Sequence, residues 1–308
     1  MRLAKRTEVV FSPAYSCFIN FKKGTRYTGL VNVLRKAYYP DYSPKDAKHG
    51  KDEAFPEAAT SKPAKRPARW AFVAKTKGEM NPGTALENDL ALILKGLRGK
   101  PKTVSPVSAR KCMDWFMTPT ASDDDSKCKS KEANRKKLLL PLVTEDVLQL
   151  LHEKKWDLLE TQLVVWNNQT KIATAVDLVC WDAADKKYVL IELKLGYKNY
   201  YKHTGQSMRG PVRWLNDCAY NQHQLQLCCT SELFETCYKT TNYKSFLVRL
   251  SRNGVELSPL TKLLEQYQNA ISTIAFSWPK RRSADQCKIS PSKAIDNDEG
   301  YDFPRRAC

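Results

Sequence analysis

Thr174-Ala175-Val176-Asp177-Leu178-Val179-Cys180-Trp181-Asp182, then Ala183-Ala184-Asp185-Lys186, then Lys187-Tyr188-Val189-Leu190-Ile191-Glu192-Leu193-Lys194 is the stretch on which the fold turns. Its outer segments are rich in β-formers and its middle segment reads as a turn, the pattern of a strand hairpin. If Asp182 faces Lys187, counting back along both arms sets Asp177 opposite Glu192, with Cβ atoms within roughly 5.5 Å. Side chains alternate along a strand, so Asp177, Glu192 and Lys194 share one face. Val176, Leu178, Cys180, Val189, Ile191, Leu193 and Leu195 are expected on the other, apolar face. Two carboxylates and an ammonium amid apolar strands are unfavourable unless paired or bound to metal. Carboxylates a few ångströms apart form an oxygen-rich site for Mg²⁺ or Mn²⁺. Lys194 beside them could orient water or stabilise charge on a phosphate. A solvated salt-bridge cluster is the alternative that the residues by themselves leave open.

Outward from the hairpin, residues 158–166 read as a preceding strand and 246–250 as a later one. Residues 85–97 carry Leu86, Leu90, Ile93, Leu94 and Leu97 at helical spacing just past Pro82-Gly83-Thr84. Further helices are expected over 144–156, with Thr144 as the cap, over 218–235, and over 260–274. Helices on both sides of a strand cluster imply an α/β core with a short mixed sheet. The domain expectation is an N-terminal extension (1–77), a folded domain (78–278) and a basic tail (279–308). Within the extension, residues 11–39 have the apolar content to fold, whereas 43–69 read as a Lys/Pro/Ala-rich linker or basic arm. Residues 99–137 read as an inserted loop, its second half exposed around Ser122-Asp123-Asp124-Asp125-Ser126.

The chain carries 51 Lys plus Arg against 33 Asp plus Glu, a net charge of +18. An excess of that size attracts polyanions and points to nucleic acid. No apolar run reaches bilayer length, which argues against a membrane protein. The first twenty residues lack the apolar stretch of a secretion signal, so the expected setting is intracellular. Basic runs such as Lys62-Pro63-Ala64-Lys65-Arg66-Pro67 fit nuclear import as well as a solvated linker. Arg2, Lys5 and Arg6 fit a mitochondrial leader, which Glu8 and Pro13 oppose. None of the ten cysteines forms a Cys-x-x-Cys pair, so a zinc ribbon is not expected and the thiols read as reduced. Residues 195–214, leading out of the Glu192 strand, include Lys198, Tyr200, Tyr201, Lys202, Arg209 and Arg213, cations for phosphates and rings for unpaired bases.

Asp177 … Glu192-Leu193-Lys194 resembles the Asp … (Asp/Glu)-x-Lys signature of the PD-(D/E)XK nucleases. Upstream, Gly83-Thr84-Ala85-Leu86-Glu87 resembles the Gly-x-x-x-Glu helix that opens the lambda-exonuclease and RecB-like branch. Downstream, Tyr220-Asn221-Gln222-His223-Gln224-Leu225-Gln226 resembles that branch's Gln-x-Gln helix. Glu160 falls where these enzymes often carry a glutamate at the start of the first strand.

The resemblance implies a restriction-endonuclease-like core and a metal-dependent DNA nuclease of recombination, repair or replication. Exonuclease action is implied ahead of endonuclease action, and a catalytically inactive nucleic-acid-binding relative is a further alternative. It implies two Mg²⁺ or Mn²⁺ ions on Asp177, Glu192, the Leu193 carbonyl and Glu87, with Lys194 as the catalytic lysine. Gln222 would orient the site or the DNA, with Gln224 or Gln226 in its place if the helix register differs. Glu160 is a possible addition. Some relatives form ring-shaped oligomers, a point on which this sequence is silent. The chain departs from compact relatives in the long spacers between Glu87 and Glu160 and between Lys194 and Gln222.

Overall fold

The computed structural model describes residues 8–12, 17–40, 82–98, 105–117, 138–196, 199–251 and 254–261. The linker at 43–69, the acidic run at 122–126, Lys198, nearly all of the helix expected over 260–274 and the basic tail lie outside the described residues. In chain order the elements are β1 (Val10–Ser12), β2 (Cys17–Asn20), β3 (Thr25–Gly29), α1 (Leu30–Ala37), α2 (Pro82–Arg98), α3 (Ala109–Met117) and α4 (Pro141–Glu153). They continue with β4 (Trp156–Asn167), β5 (Ile172–Asp182), β6 (Lys187–Leu195), α5 (Ala219–Tyr238), β7 (Tyr243–Ser251) and β8 (Gly254–Pro259). Among the described residues no helix is long and apolar enough to cross a membrane.

The protein is a mixed α/β fold whose central mixed sheet is flanked by helices. Strands β4, β5 and β6 form an antiparallel meander, with Asp182 paired to Lys187 as hairpin counting expects. Strand β6 then pairs parallel with β7, and β7 antiparallel with β8. The N-terminal strands join the same sheet: Thr28 and Gly29 of β3 pair parallel with Ile172 and Ala173 of β5. Strands β1, β2 and β3, read from sequence as part of an N-terminal extension, therefore extend the sheet that carries the hairpin.

Both faces of the sheet are covered. On one side Leu86, Leu90 and Ile93 of α2, Cys112 and Phe116 of α3, and Leu148 and Leu151 of α4 pack on Leu178, Cys180, Val189 and Ile191. On the other side Leu30, Val33 and Leu34 of α1 and Leu225, Leu227 and Phe234 of α5 pack on Val165, Val176, Val179 and Leu190. Each aliphatic side chain so buried contributes about 1.5–3 kcal/mol. Val176 is thus on the opposite face from the one alternation assigns it; Leu178 keeps its expected face, so the strand rotates between them, at Asp177.

Three local expectations are corrected. Helix α4 begins at Pro141, so Thr144 lies inside the helix, its one hydroxyl proton placed between the Leu140 carbonyl at 2.8 Å and Asp89 Oδ2 at 3.0 Å. No side chain caps the helix in the usual way; instead Asp89 of α2 accepts the Leu139 and Leu140 N–H groups just ahead of it, at 2.8 and 2.7 Å. A carboxylate there meets the positive end of the α4 dipole and locks α2 against α4. The first half of the segment read as an inserted loop contains α3, whose apolar face is part of the core.

Candidate functional site

The site lies where β5 exchanges neighbours. At Leu178 and beyond, β5 is laddered to β6; at Ile172 and Ala173 the same edge is laddered to β3. Between those pairings β6 parts from β5. There the Leu193 N–H donates to Asp177 Oδ2 at 2.7 Å rather than to a carbonyl of β5. Asp177 and Glu192 come from adjacent strands, and both are more than nine-tenths buried. Lys194, two residues further along β6, turns back to place Nζ 2.6 Å from Glu192 Oε1.

Helix α2 adds Glu87, half-buried and within electrostatic reach of both Glu192 and Lys194. Asp89, two residues on, ties that part of α2 to α4. Burial, then the negative charge of Glu192, pushes the Glu87 carboxyl up to about 7, with Lys194 pulling the other way. Burial likewise drives Asp177 well above the usual carboxylate range, reinforced by Glu192 and Glu87. Lys194 and the Leu193 N–H oppose that rise without cancelling it. One ammonium thus stands against three carboxylates, and the neighbouring negative charge disfavours ionisation of Asp177 and Glu87.

Among the described residues no three His, Cys, Asp or Glu side chains already stand in ligand geometry around a point. Lys194 and Gln226 occupy Glu192 Oε1, while Gln162 and Leu193 occupy the Asp177 oxygens. The donor chemistry nevertheless suits a hard divalent cation, which takes carboxylate oxygens and offsets their repulsion. Glu192 Oε2 is buried and has no hydrogen-bond partner, the kind of atom such a cation would satisfy.

The glutamine that meets the site is Gln226. Its Nε2 donates to Glu192 Oε1 at 2.5 Å, and its Oε1 accepts from Lys194 Nζ at 3.3 Å. Gln222, the first choice from sequence, instead donates to Asp217 Oδ1 at 2.7 Å, and its backbone carbonyl accepts the Tyr39 hydroxyl. Gln224 ties α5 to the end of β8 through the Pro259 carbonyl and the Thr261 N–H. Glu160 is not brought to the site; it sits 3.8 Å from Arg98 of α2. Arg98 also donates to the Leu158 and Leu159 carbonyls beside the β4 bulge.

The residue that sequence reading passes over is Gln162 of β4. Its carboxamide donates to Asp177 Oδ1 at 3.0 Å. Its backbone has φ +51°, a left-handed conformation inside a strand that costs a non-glycine residue about 1–3 kcal/mol. A glutamine among the β-formers of this segment carries no signal of that geometry.

Beyond β6, residues 199–217 fold back on themselves through Thr204–Asp217 and Met208–Leu215 backbone bonds. The Arg209 N–H donates to the Tyr38 carbonyl, docking this segment on the end of α1. Lys202 and Arg213 are exposed, and Arg209 is half-buried. Tyr201 is 49% exposed and its hydroxyl donates to Glu256. Tyr200 departs from the expectation that it stacks on bases. It is 2% exposed, its hydroxyl meets His223 Nδ1 at 3.1 Å, and the Arg249 guanidinium lies 4.7 Å over its ring. Burial and Lys194 hold His223 well below the usual imidazole range, so it is neutral.

No protein-family model matches the chain, and no curated protein matches it. Among solved structures it is similar to the crystal structure of SSO0001, at 15% identity and a TM-score of 0.24, over 64% of this chain and 86% of that one. A likeness at that score carries no argument about fold or activity.

Proposed function

We propose that this protein is a metal-dependent DNA nuclease with a restriction-endonuclease-like core, hydrolysing phosphodiester bonds and acting from DNA ends as an exonuclease. The observation that carries the proposal is the gathering of Asp177, Glu192 and Glu87 around Lys194 in one charge-frustrated cluster, with Glu192 Oε2 buried and unsatisfied. The order Gly83 … Glu87, Asp177, Glu192-x-Lys194 and the glutamine helix supports the family assignment, and the exonuclease choice rests on that resemblance. A net charge of +18 supports a polyanionic substrate.

In this proposal Asp177, Glu192 and the Leu193 carbonyl hold one Mg²⁺ or Mn²⁺, and Glu87 approaches a second. Bound there, the ions lower the pKa of the attacking water and offset charge on the phosphate. Lys194 keeps a fixed positive charge beside the scissile group, where it stabilises the oxygen that gains charge. Gln226 holds Glu192 and Lys194 in register with each other. Lys202, Arg209 and Arg213 meet phosphates, and Tyr201 offers a ring to an unpaired base.

The test is hydrolysis of end-labelled linear DNA beside closed circular DNA, in Mg²⁺ and in Mn²⁺, for wild type and Lys194→Ala. Metal-dependent loss of the linear substrate alone, abolished by the substitution, is the expected result. Cutting of the circle, equally abolished, would keep the site and make the enzyme an endonuclease. Absence of cleavage in both metals, or cleavage indifferent to Lys194→Ala, would overturn the assignment.

A further inference from the structure

Position 162 of β4 falls directly opposite Asp177 in the β4–β5 register, so the two side chains are cross-strand neighbours. Flanking pairs Thr161↔Leu178 and Leu163↔Val176 keep ordinary register, yet Gln162 between them adopts φ +51°. A bulge between Leu158 and Glu160 lies just upstream, its carbonyls held by Arg98. Bulges and left-handed residues re-aim side chains, and they concentrate at functional sites. From this position the Gln162 carboxamide donates to Asp177 Oδ1, while the Leu193 N–H donates to Oδ2.

We propose that Gln162 is a positioning residue for the carboxylate site, its carboxamide holding Asp177 in the orientation that receives a divalent cation. The inference rests on the nuclease reading above and adds to it a residue from a strand that the reading does not otherwise use. Both donors on Asp177 are neutral, so they fix the plane of the carboxylate without cancelling the charge that attracts a cation. A lysine at 162 would do the opposite. Hydrogen-bond partners of ligating carboxylates tune metal sites, and their removal typically costs roughly 10- to 100-fold in affinity or activity.

The experiment compares wild type, Gln162→Gly and Gln162→Asn. Mn²⁺ binding is followed by titration calorimetry, alongside thermal unfolding and hydrolysis of linear DNA. Glycine suits φ +51° and lacks the carboxamide; asparagine tolerates that conformation and keeps one. Gln162→Gly is expected to unfold no earlier than wild type, yet to bind Mn²⁺ about 10-fold more weakly and to lose DNA hydrolysis to a similar degree. Gln162→Asn is expected to recover part of the Mn²⁺ affinity. Wild-type Mn²⁺ affinity in Gln162→Gly, or equal affinities in the glycine and asparagine variants, would overturn the positioning role. If those results accompany metal-dependent, Lys194-dependent cleavage by wild type, the nuclease reading survives without it. If wild type binds no Mn²⁺, both fall together.

Discussion

Replacing Lys194 with methionine keeps the length and apolar body of the side chain and removes the one ammonium that faces three carboxylates. The pair it breaks is close and largely dry. Nζ lies 2.6 Å from Glu192 Oε1, with side-chain exposures of 13% and 4%. At that separation the Coulomb term is about 6 kcal/mol for an effective dielectric near 20. The desolvation cost of the ammonium, recovered in the variant, offsets part of it. Breaking a buried pair by removing one partner costs about 3–5 kcal/mol. For a domain of this size that lowers Tm by roughly 10 °C.

The loss should depend on pH. Asp177 and Glu87 have folded-state values raised above those of the unfolded chain, Glu87 to about 7. The folded state therefore holds more protons between the ordinary carboxylate range and pH 7, and stability falls as pH rises through that window. Lys194 limits this fall, since it lowers both groups. Without it, Lys194→Met should be markedly less stable than wild type at pH 8.5 and much closer to it at pH 5. Circular-dichroism melts at the two pH values, in EDTA, measure the difference. A Tm loss equal at both values, or none at either, would refute the picture of one cation restraining three carboxylates.

Removing the Asp89 tie to α4 by Asp89→Ala should destabilise the fold by about 2–4 kcal/mol, because two N–H groups lose their acceptor; urea unfolding measures it, and activity should fall as α2 and Glu87 loosen. At the hairpin turn, Asp182 accepts Lys244 Nζ, the Trp156 indole N–H and the Ala184 and Asp185 N–H groups. Those bonds and the Lys244 charge outweigh desolvation and depress its carboxyl, so its contribution is present above the ordinary Asp range and is lost as pH falls through the depressed value. Asp182→Asn should therefore flatten the acid side of a stability-versus-pH curve below about pH 4. Tyr200→Ala should cost about 3–5 kcal/mol, as loss of a buried aromatic ring does, in a denaturant titration. Tyr201→Ala should stay within about 1 kcal/mol of wild type yet weaken DNA binding in fluorescence anisotropy, since its ring is half exposed.

The hairpin was legible because its signals are local. Alternation over residues 174–194 and the Ala183–Lys186 turn set a register in which Asp182 pairs with Lys187, the pairing the structure has. The helical spacing of Leu86, Leu90 and Ile93 placed Glu87 on a helix for the same reason. The choice among glutamines was not local. Gln222 and Gln226 lie one turn apart on the same side of α5, about 6 Å along the axis. Only the height of α5 against β6 decides which meets Glu192, and that height is set by remote ties. Tyr39 and Asp217 hold the Gln222 end, and Pro259 and Thr261 hold Gln224.

By itself the sequence determined which strands and helices form around Asp177, Glu192 and Lys194, because periodicity and turn chemistry act between near neighbours. Tertiary structure decided what surrounds them: β3 joining β5, the parting of β5 from β6 at Asp177, the rotation that sends Val176 to the other core, and the left-handed Gln162. Each of these exchanges a favourable local geometry for contacts with chain many residues away. No pattern of neighbouring residues records that exchange, because the stabilising partner is absent from the window being read.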